Sequence, residues 1–299
     1  MKELQFHYHM DIEFSEQVCN HTYTLKCIPK TTPMQEITEC SITMTPDNQM
    51  HEGTDSFGNI MLYGNVEKEH SLFAVDVMGK ARTGLSCGNQ PQEDTDRSIY
   101  RYQTPLTAPG DKIKALHLTC AGEDSSRSFD QCSGQNADRY FDQWAEQNAD
   151  RYSERQAENV RERVSRYMDA VYESMHYCKG VTDIRTSAEE ALVLGSGVCQ
   201  DYAHILLSLC REDKIPARYV VGMLEGEGES HAWIEIFDGR IWTGFDPTNH
   251  QIVGDSYIKI SHGRDYQDCS INRGVFTGQA KQQQRILVEV EEVTKKQQE

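Results

Sequence analysis

Residues 4–14 alternate strictly between apolar and polar. Leu4, Phe6, Tyr8, Met10, Ile12 and Phe14 face one way, and Gln5, His7, His9, Asp11 and Glu13 the other. A period of two predicts a half-buried strand. Further short strands are predicted around 23–28, 37–44, 60–66 and 71–77, separated by Pro29, Pro33, Pro46-Asp47, Gly58-Asn59 and Gly79. Strands at that spacing predict a β-sandwich over residues 1–80,.

The pattern then changes. Residues 81–110 read as a linker, with Pro109-Gly110 at its end,. Residues 122–160 are poor in aliphatics and contain Gln-Asn-Ala-Asp-Arg-Tyr twice, at 135–140 and 147–152. That offset falls about 120° from whole helical turns, so the copies share no continuous face. The stretch reads as a polar helical insertion, either surface decoration or a partner-binding or lid element. From 153 to 178 a helical stripe of Ala157, Val160, Val164, Met168, Val171 and Met175 leads to a stop at Gly180,. Thr186-Ser-Ala-Glu189 is a capping-box pattern that opens a short helix ending near Gly195,. Ala203, Leu206, Leu207 and Cys210 predict a helix over about 198–212,. Strands follow near 217–224, 230–237 and 240–246, with a last one at 285–293. The loop Glu225-Gly-Glu-Gly-Glu-Ser230 reads as flexible and acidic.

Chemistry concentrates after residue 195. Gly195-Ser196-Gly197 allows a tight turn and sets Cys199 in the first turn of a helix. The partial positive charge of a helix N-terminus favours thiolate over thiol. Asp238-Gly239 between two β-rich arms predicts a two-residue hairpin loop,. Paired residue numbers then sum to 477, which sets His231 opposite Asp246. Directly opposed side chains have Cβ atoms roughly 4.5–5.5 Å apart. Pro247 cannot donate to a ladder, so the strand should end at Asp246,. Cys199, His231 and Asp246 have the types and chain order of a thiol-nucleophile triad,. Cys210 reads as a small core residue. Gln200 and Trp233 are candidate substrate contacts; Trp233 either walls the cleft or packs in the core. Asp201 complements the helix dipole, His204 reads as a structural hydrogen-bonding group, and Asn249 supports Asp246 or its turn.

Gly-Val-Cys-Gln-Asp-Tyr-Ala-His at 197–204, Ile-Pro-Ala-Arg-Tyr-Val at 215–220, Ser-His-Ala-Trp at 230–233 and Phe-Asp-Pro-Thr-Asn at 245–249 resemble the transglutaminase-like superfamily, in its bacterial branch of predicted cysteine proteases. Asp55-Ser-Phe-Gly-Asn59 is similar to that branch's N-terminal domain, and Gly263-Arg-Asp-Tyr266 with Asn272-Arg-Gly-Val275 to its C-terminal segment. The resemblance implies an α+β fold. A papain-like core, with the nucleophile helix packed on an antiparallel sheet, would occupy residues 111–299 beside the N-terminal sandwich. It also implies that the triad roles fall on Cys199, His231 and Asp246. The activity expected is thiol-dependent acyl transfer on a carboxamide, as a peptidase or amidase. A protein-glutamine transglutaminase and a non-catalytic binding scaffold are the alternatives.

Composition narrows the partners. The chain has 299 residues, room for two domains,. Its net charge of −17 argues against nucleic acid and anionic membranes,. The acidity itself reads as a solubilising surface. No apolar leader or membrane-length run is evident, so a cytosolic protein is expected. Ten cysteines without a C-x-x-C fit free thiols in a reducing compartment,. No cofactor is implied, the partner is a protein or peptide substrate, and the oligomeric state is open. His7 and His9 share a strand face, but such a pair is read as solvated polar positions, with no metal expected.

Overall fold

The structure, a computed structural model, describes residues 1–85, 97–121 and 154–293. Most of the predicted insertion, with both copies of its repeat, lies outside the described residues. The chain opens with β1 (Lys2–Leu25), β2 (Gln35–Thr45), β3 (Met50–Thr54), β4 (Ile60–Val66) and β5 (His70–Thr83). Helices α1 (Asp111–Ala121) and α2 (Glu154–Ser174) follow, then β6 (His176–Tyr177), α3 (Ala188–Leu194), β7 (Ser196–Gly197) and α4 (Cys199–Glu212). Next come β8 (Ala217–Leu224), β9 (Gly226–Gly228), β10 (His231–Phe237), β11 (Trp242–Asp246), β12 (Gln251–Ile252) and β13 (Tyr257–Gly263). A short α5 (Tyr266–Cys269), β14 (Asn272–Thr277) and β15 (Gln282–Glu292) end the described chain. Helices and antiparallel strands thus combine in an α+β fold. Among the described residues, no helix is long and apolar enough to cross a membrane.

Two compact units result: Met1–Thr95 with Tyr219–Ala232 and Val253–Glu299, and Asp96–Arg218 with Trp233–Ile252. The first is organised by β1. Its N-terminal half pairs antiparallel with β5 on one side and β15 on the other. Its C-terminal half pairs with β4 and β14. The register against β5 shifts between Glu13 and Val18, and Asn20 has φ 48°. Such an irregularity lets one strand leave one sheet and enter another. The alternation predicted from sequence holds: Leu4, Phe6, Tyr8, Met10 and Ile12 are all buried. Phe14 meets Phe276 at 4.9 Å and Tyr23 meets Phe73 at 5.0 Å between ring centroids.

Three differences from the sequence reading have physical causes. The strands around 4–14 and 23–28 are one strand, because the polar stretch between them makes a bulge rather than a turn. Strand β15 adds to β1 from Leu4↔Glu292 to Phe14↔Gln282, so the C-terminal strand completes the first unit's sheet. The acidic stretch after Leu224 is not a free loop. Gly226–Gly228 pairs with β15 as β9, and Glu225 bonds Lys2 Nζ and Ser256 Oγ, each at 2.7 Å. The Asp55–Asn59 motif is a built corner. The Asp55 carboxylate accepts the N–H groups of Phe57 and Asn59 and binds Lys26. The Asn59 amide exchanges two hydrogen bonds with the His262 backbone.

The second unit carries the helices. Val164, Met168 and Val171 of α2, and Met175 just after it, are buried as the stripe predicts, and Tyr167 is buried beside them. The capping box of α3 sits one residue later than expected, on Ser187 and Glu190. Glu189 is used elsewhere: its carboxylate accepts the N–H groups of Gly110, Lys112 and Ile113 and so caps α1.

His21 and His70, both buried, stack 5.5 Å apart in the first unit. His70 Nδ1 lies 2.9 Å from the Lys68 carbonyl and must donate to it, so its Nε2 accepts from His21 Nδ1 at 3.2 Å. Burial, and then the neighbouring His70, push His21 down to about 4 from 6.5. The folded protein keeps His21 neutral where the unfolded chain is protonated. Its contribution is therefore complete above pH 6.5 and is lost as pH falls toward 4,. We expect urea-unfolding stability to fall below pH 6.5. One proton contributes at most about 1.4 kcal/mol per pH unit to that slope. His21→Phe should flatten the slope; an unchanged slope would exclude His21 as its source.

Candidate active site

Local chain chemistry explains how Cys199 is presented. Val198 is extended at φ −112° and serves as the N-cap of α4, whose first residue is Cys199. The Asp201 carboxylate reaches back to the Val198 N–H at 2.7 Å and accepts the Thr182 hydroxyl at 2.7 Å. Gly197 makes room for it: a Cβ there would stand 2.4 Å from Asp201 Oδ2. Asp201 is buried, and burial raises its carboxyl pKa against the pull of those two hydrogen bonds. It therefore does more than complement the dipole, because it fixes the turn from which Cys199 emerges.

Cys199 is half-buried. The other helix cysteine contrasts with it. Cys210 is fully buried, and burial pushes its thiol well up. Burial does the same to Cys269, and drives Cys27 up to about 12. Those three are inert packing groups. The described cysteines are all free thiols.

Asp246 ends β11, as Pro247 requires. It is fully buried. Its Oδ1 accepts the N–H groups of Thr248 and Asn249 at 3.0 and 3.1 Å, and its Oδ2 accepts the Asn249 side-chain amide at 2.8 Å. An aspartate that bonds the backbone two and three residues on builds its own turn. Asn249 is thus the support weighed for it in the sequence. Three donors hold this carboxylate in one orientation.

The hairpin register differs from the expectation. Ile234 pairs with Phe245 and Phe237 with Trp242, so paired numbers sum to 479. The turn residues are Gly239 and Arg240 rather than Asp238 and Gly239. Asp238 is the cause. Its Oδ1 accepts the N–H groups of Arg240 and Ile241, its Oδ2 binds Arg161 of α2 at 2.7 Å, and it is buried. Gly239 supplies the positive φ, 100°. Continued by one residue, the ladder sets Asp246 across from Trp233. The direct His231–Asp246 pairing is therefore corrected by two residues. A shift of two conserves the face, and alternation keeps His231 on the Trp233 side of β10. His231 is half-buried and lies in the first unit, 6.3 Å from the Tyr257 ring. Cys199 and Asp246 belong to the second unit.

The remaining candidates are placed as follows. Gln200 is buried, with its amide 3.5 Å from the Asp183 carbonyl. Trp233 is buried, which favours packing. His204 is wholly buried; burial, then the Arg211 charge, hold it near 3, so it is neutral. Arg211, unremarked in the sequence, is buried on the carbonyls of Tyr100 and Ala217 and the Thr107 hydroxyl.

The Asp201 arrangement makes a stability prediction. Asp201→Ala should lower unfolding stability in urea by about 1–2 kcal/mol, as for other lost helix caps. An unchanged midpoint would show that the Val198 N–H finds another partner.

Comparison with known proteins adds the family context. Residues 147–247 match the model of the transglutaminase-like superfamily, and residues 4–82 that of the bacterial transglutaminase-like N-terminal region. An uncharacterised protein of Mycobacterium leprae is 36% identical over 126 residues, 39% of this chain and 45% of that protein. An uncharacterised protein of Mycobacterium tuberculosis is 35% identical over 122 residues, 36% and 39% of the respective chains. The chain thus spans less than half the length of these curated relatives. A crystal structure of a "putative cysteine protease" from Cytophaga hutchinsonii superposes with a TM-score of 0.67 at 20% identity, over 98% of this chain and 92% of that one. At that identity the likeness is one of fold.

Proposed function

We propose that this chain, a transglutaminase-like protein with a bacterial transglutaminase-like N-terminal region, is a cysteine peptidase or amidase acting through Cys199, His231 and Asp246. The observation that carries the reading is Cys199 itself. It is half-exposed at the first position of α4, while Cys27, Cys210 and Cys269 are buried with raised thiols. Asp246, oriented by three N–H donors, supports the same reading.

The chemistry is acyl transfer through a thioester. Cys199 Sγ attacks a carboxamide carbon as His231 takes the thiol proton. The C–N bond breaks, and His231 returns that proton to the leaving amine. Water, deprotonated in turn by His231, attacks the thioester and releases the acid, and the thiol is restored. Asp246 holds the imidazole tautomer and stabilises its charged form. The Cys199 backbone N–H, at the helix start, is a donor for the developing oxyanion.

Two measurements test this. Mass-spectrometric mapping after brief iodoacetamide treatment at pH 6 should find Cys199 alkylated faster than the exposed Cys40. His231→Ala should slow that labelling by about 100-fold or more, within the usual range for general-base assistance. Equal labelling of Cys199 and Cys40 would overturn the catalytic reading. On glutamine peptides, Cys199→Ala should abolish turnover. If an added primary amine is incorporated faster than acid is formed, transglutamination replaces hydrolysis as the activity.

A further inference from the structure

The outward face of the first unit's sheet carries a cluster that the proposed reaction does not use. His7 and His9 lie two residues apart on β1, on the side opposite its buried apolar positions. His9 is directly paired with Asp76 of β5, and His7 with Glu289 of β15. His7 Nε2 and His9 Nδ1 both stand 2.8 Å from the same oxygen, Asp76 Oδ1. These three ligand-type atoms lie within 4.8 Å of one another. The outer ring nitrogens face carboxylates too. His7 Nδ1 is 3.6 Å from Glu289 Oε2, and His9 Nε2 is 3.3 Å from Asp11 Oδ2.

Counting protons exposes the problem these contacts pose. Four ring nitrogens face carboxylate oxygens, but a neutral imidazole has one N–H. Two neutral rings satisfy only two of the four contacts and leave two lone pairs aimed at oxygen. A second proton on each ring satisfies all four, and so does a divalent cation. The cation accepts the lone pairs of His7 Nε2 and His9 Nδ1 together with Asp76 Oδ1. The outer N–H groups then donate to Glu289 and Asp11. That is the carboxylate–histidine–metal relay which orients imidazole ligands in metal sites generally.

We infer that His7, His9 and Asp76 form a surface site for a divalent first-row transition metal, with zinc as the fitting ion. Nitrogen and carboxylate ligands at about 2.0–2.2 Å in tetrahedral array suit zinc, with water in the fourth position. Tetrahedral bonds of that length set ligand atoms about 3.3 Å apart; each ring nitrogen is now 2.8 Å from Asp76 Oδ1, and the two nitrogens lie within 4.8 Å of each other, so both spacings adjust on binding. Charge also favours a cation: Asp76, Asp11 and Glu289 surround the rings. Arg285 stands beside Asp11, with Nε 3.9 Å from Asp11 Oδ1, and its Nη2 is committed to Glu13 at 2.6 Å. The three ligands are each about one-third exposed, so an ion can enter from solvent.

The test uses the full-length Cys199→Ala protein, dialysed against chelator and then titrated with zinc. One equivalent should bind with a dissociation constant in the micromolar range or below and raise the melting temperature. Cobalt should give d–d bands without a thiolate-to-cobalt charge-transfer band. His7→Ala and Asp76→Ala should each weaken binding at least tenfold. Asp11→Asn and Glu289→Gln, which act through the rings, should weaken it by about 10–100-fold. Absence of saturable binding to the Cys199→Ala protein overturns the site without recourse to further variants. Binding with a thiolate band, or unchanged in folded His7→Ala and Asp76→Ala proteins, assigns the metal elsewhere and overturns it equally.

Discussion

Strand β1 has to serve two sheets at once. Its first half needs apolar residues on one face at a period of two, and its second half needs the same on a face turned into the other sheet. A regular 24-residue strand could not do both. The irregularity between Glu13 and Val18 reconciles them, with Asn20 in the left-handed region just beyond. Once that strand is placed, β5, β15, β4 and β14 take their positions from its backbone groups. The outward His7, His9 and Asp11 are aligned by the same constraint that buries Phe6, Tyr8 and Met10. The face chemistry is thus a by-product of the core pattern.

A second theme is how carboxylates are used. The chain's acid excess suggests a solvated surface, yet several acids are turned inward onto backbone N–H groups. Asp55 holds a corner, Glu189 caps α1, Asp201 ties the start of α4, and Asp238 and Asp246 build the turns at the two ends of β11. Each replaces a hydrogen bond to water that folding removes, at positions where the ladder or helix has none to offer. Two of these turns carry candidate residues: Asp201 fixes the backbone at Cys199, and Asp246 fixes its own turn at the end of β11.

Sequence patterns revealed what depends on periodicity and missed what depends on distant partners. The alternation at 4–14, the α2 stripe and the helix from Cys199 all follow from near-neighbour spacing, and all are present. The turn lies one residue beyond the Asp238-Gly239 signal because Asp238 is drawn inward by Arg161, 77 residues away in the chain. The capping-box pattern assigns Glu189 to its own helix, whereas its partners lie at 110–113. Asp76 could not be joined to His7 and His9 from spacing, since strand pairing alone brings them together. Asn249 was legible, because its partner is three residues away.

The pairing of β1 with β15 also sets a timetable. Their contacts join residues far apart in the chain, Glu13 and Arg285 among them. At about 5–20 residues per second, a ribosome needs roughly 15–55 s to make the intervening chain. Throughout that interval the edge of β1 that β15 will occupy is open to any other extended strand. The charged side chains along β1, Glu3, Asp11 and Glu13, are suited to guard that edge until β15 has been made,.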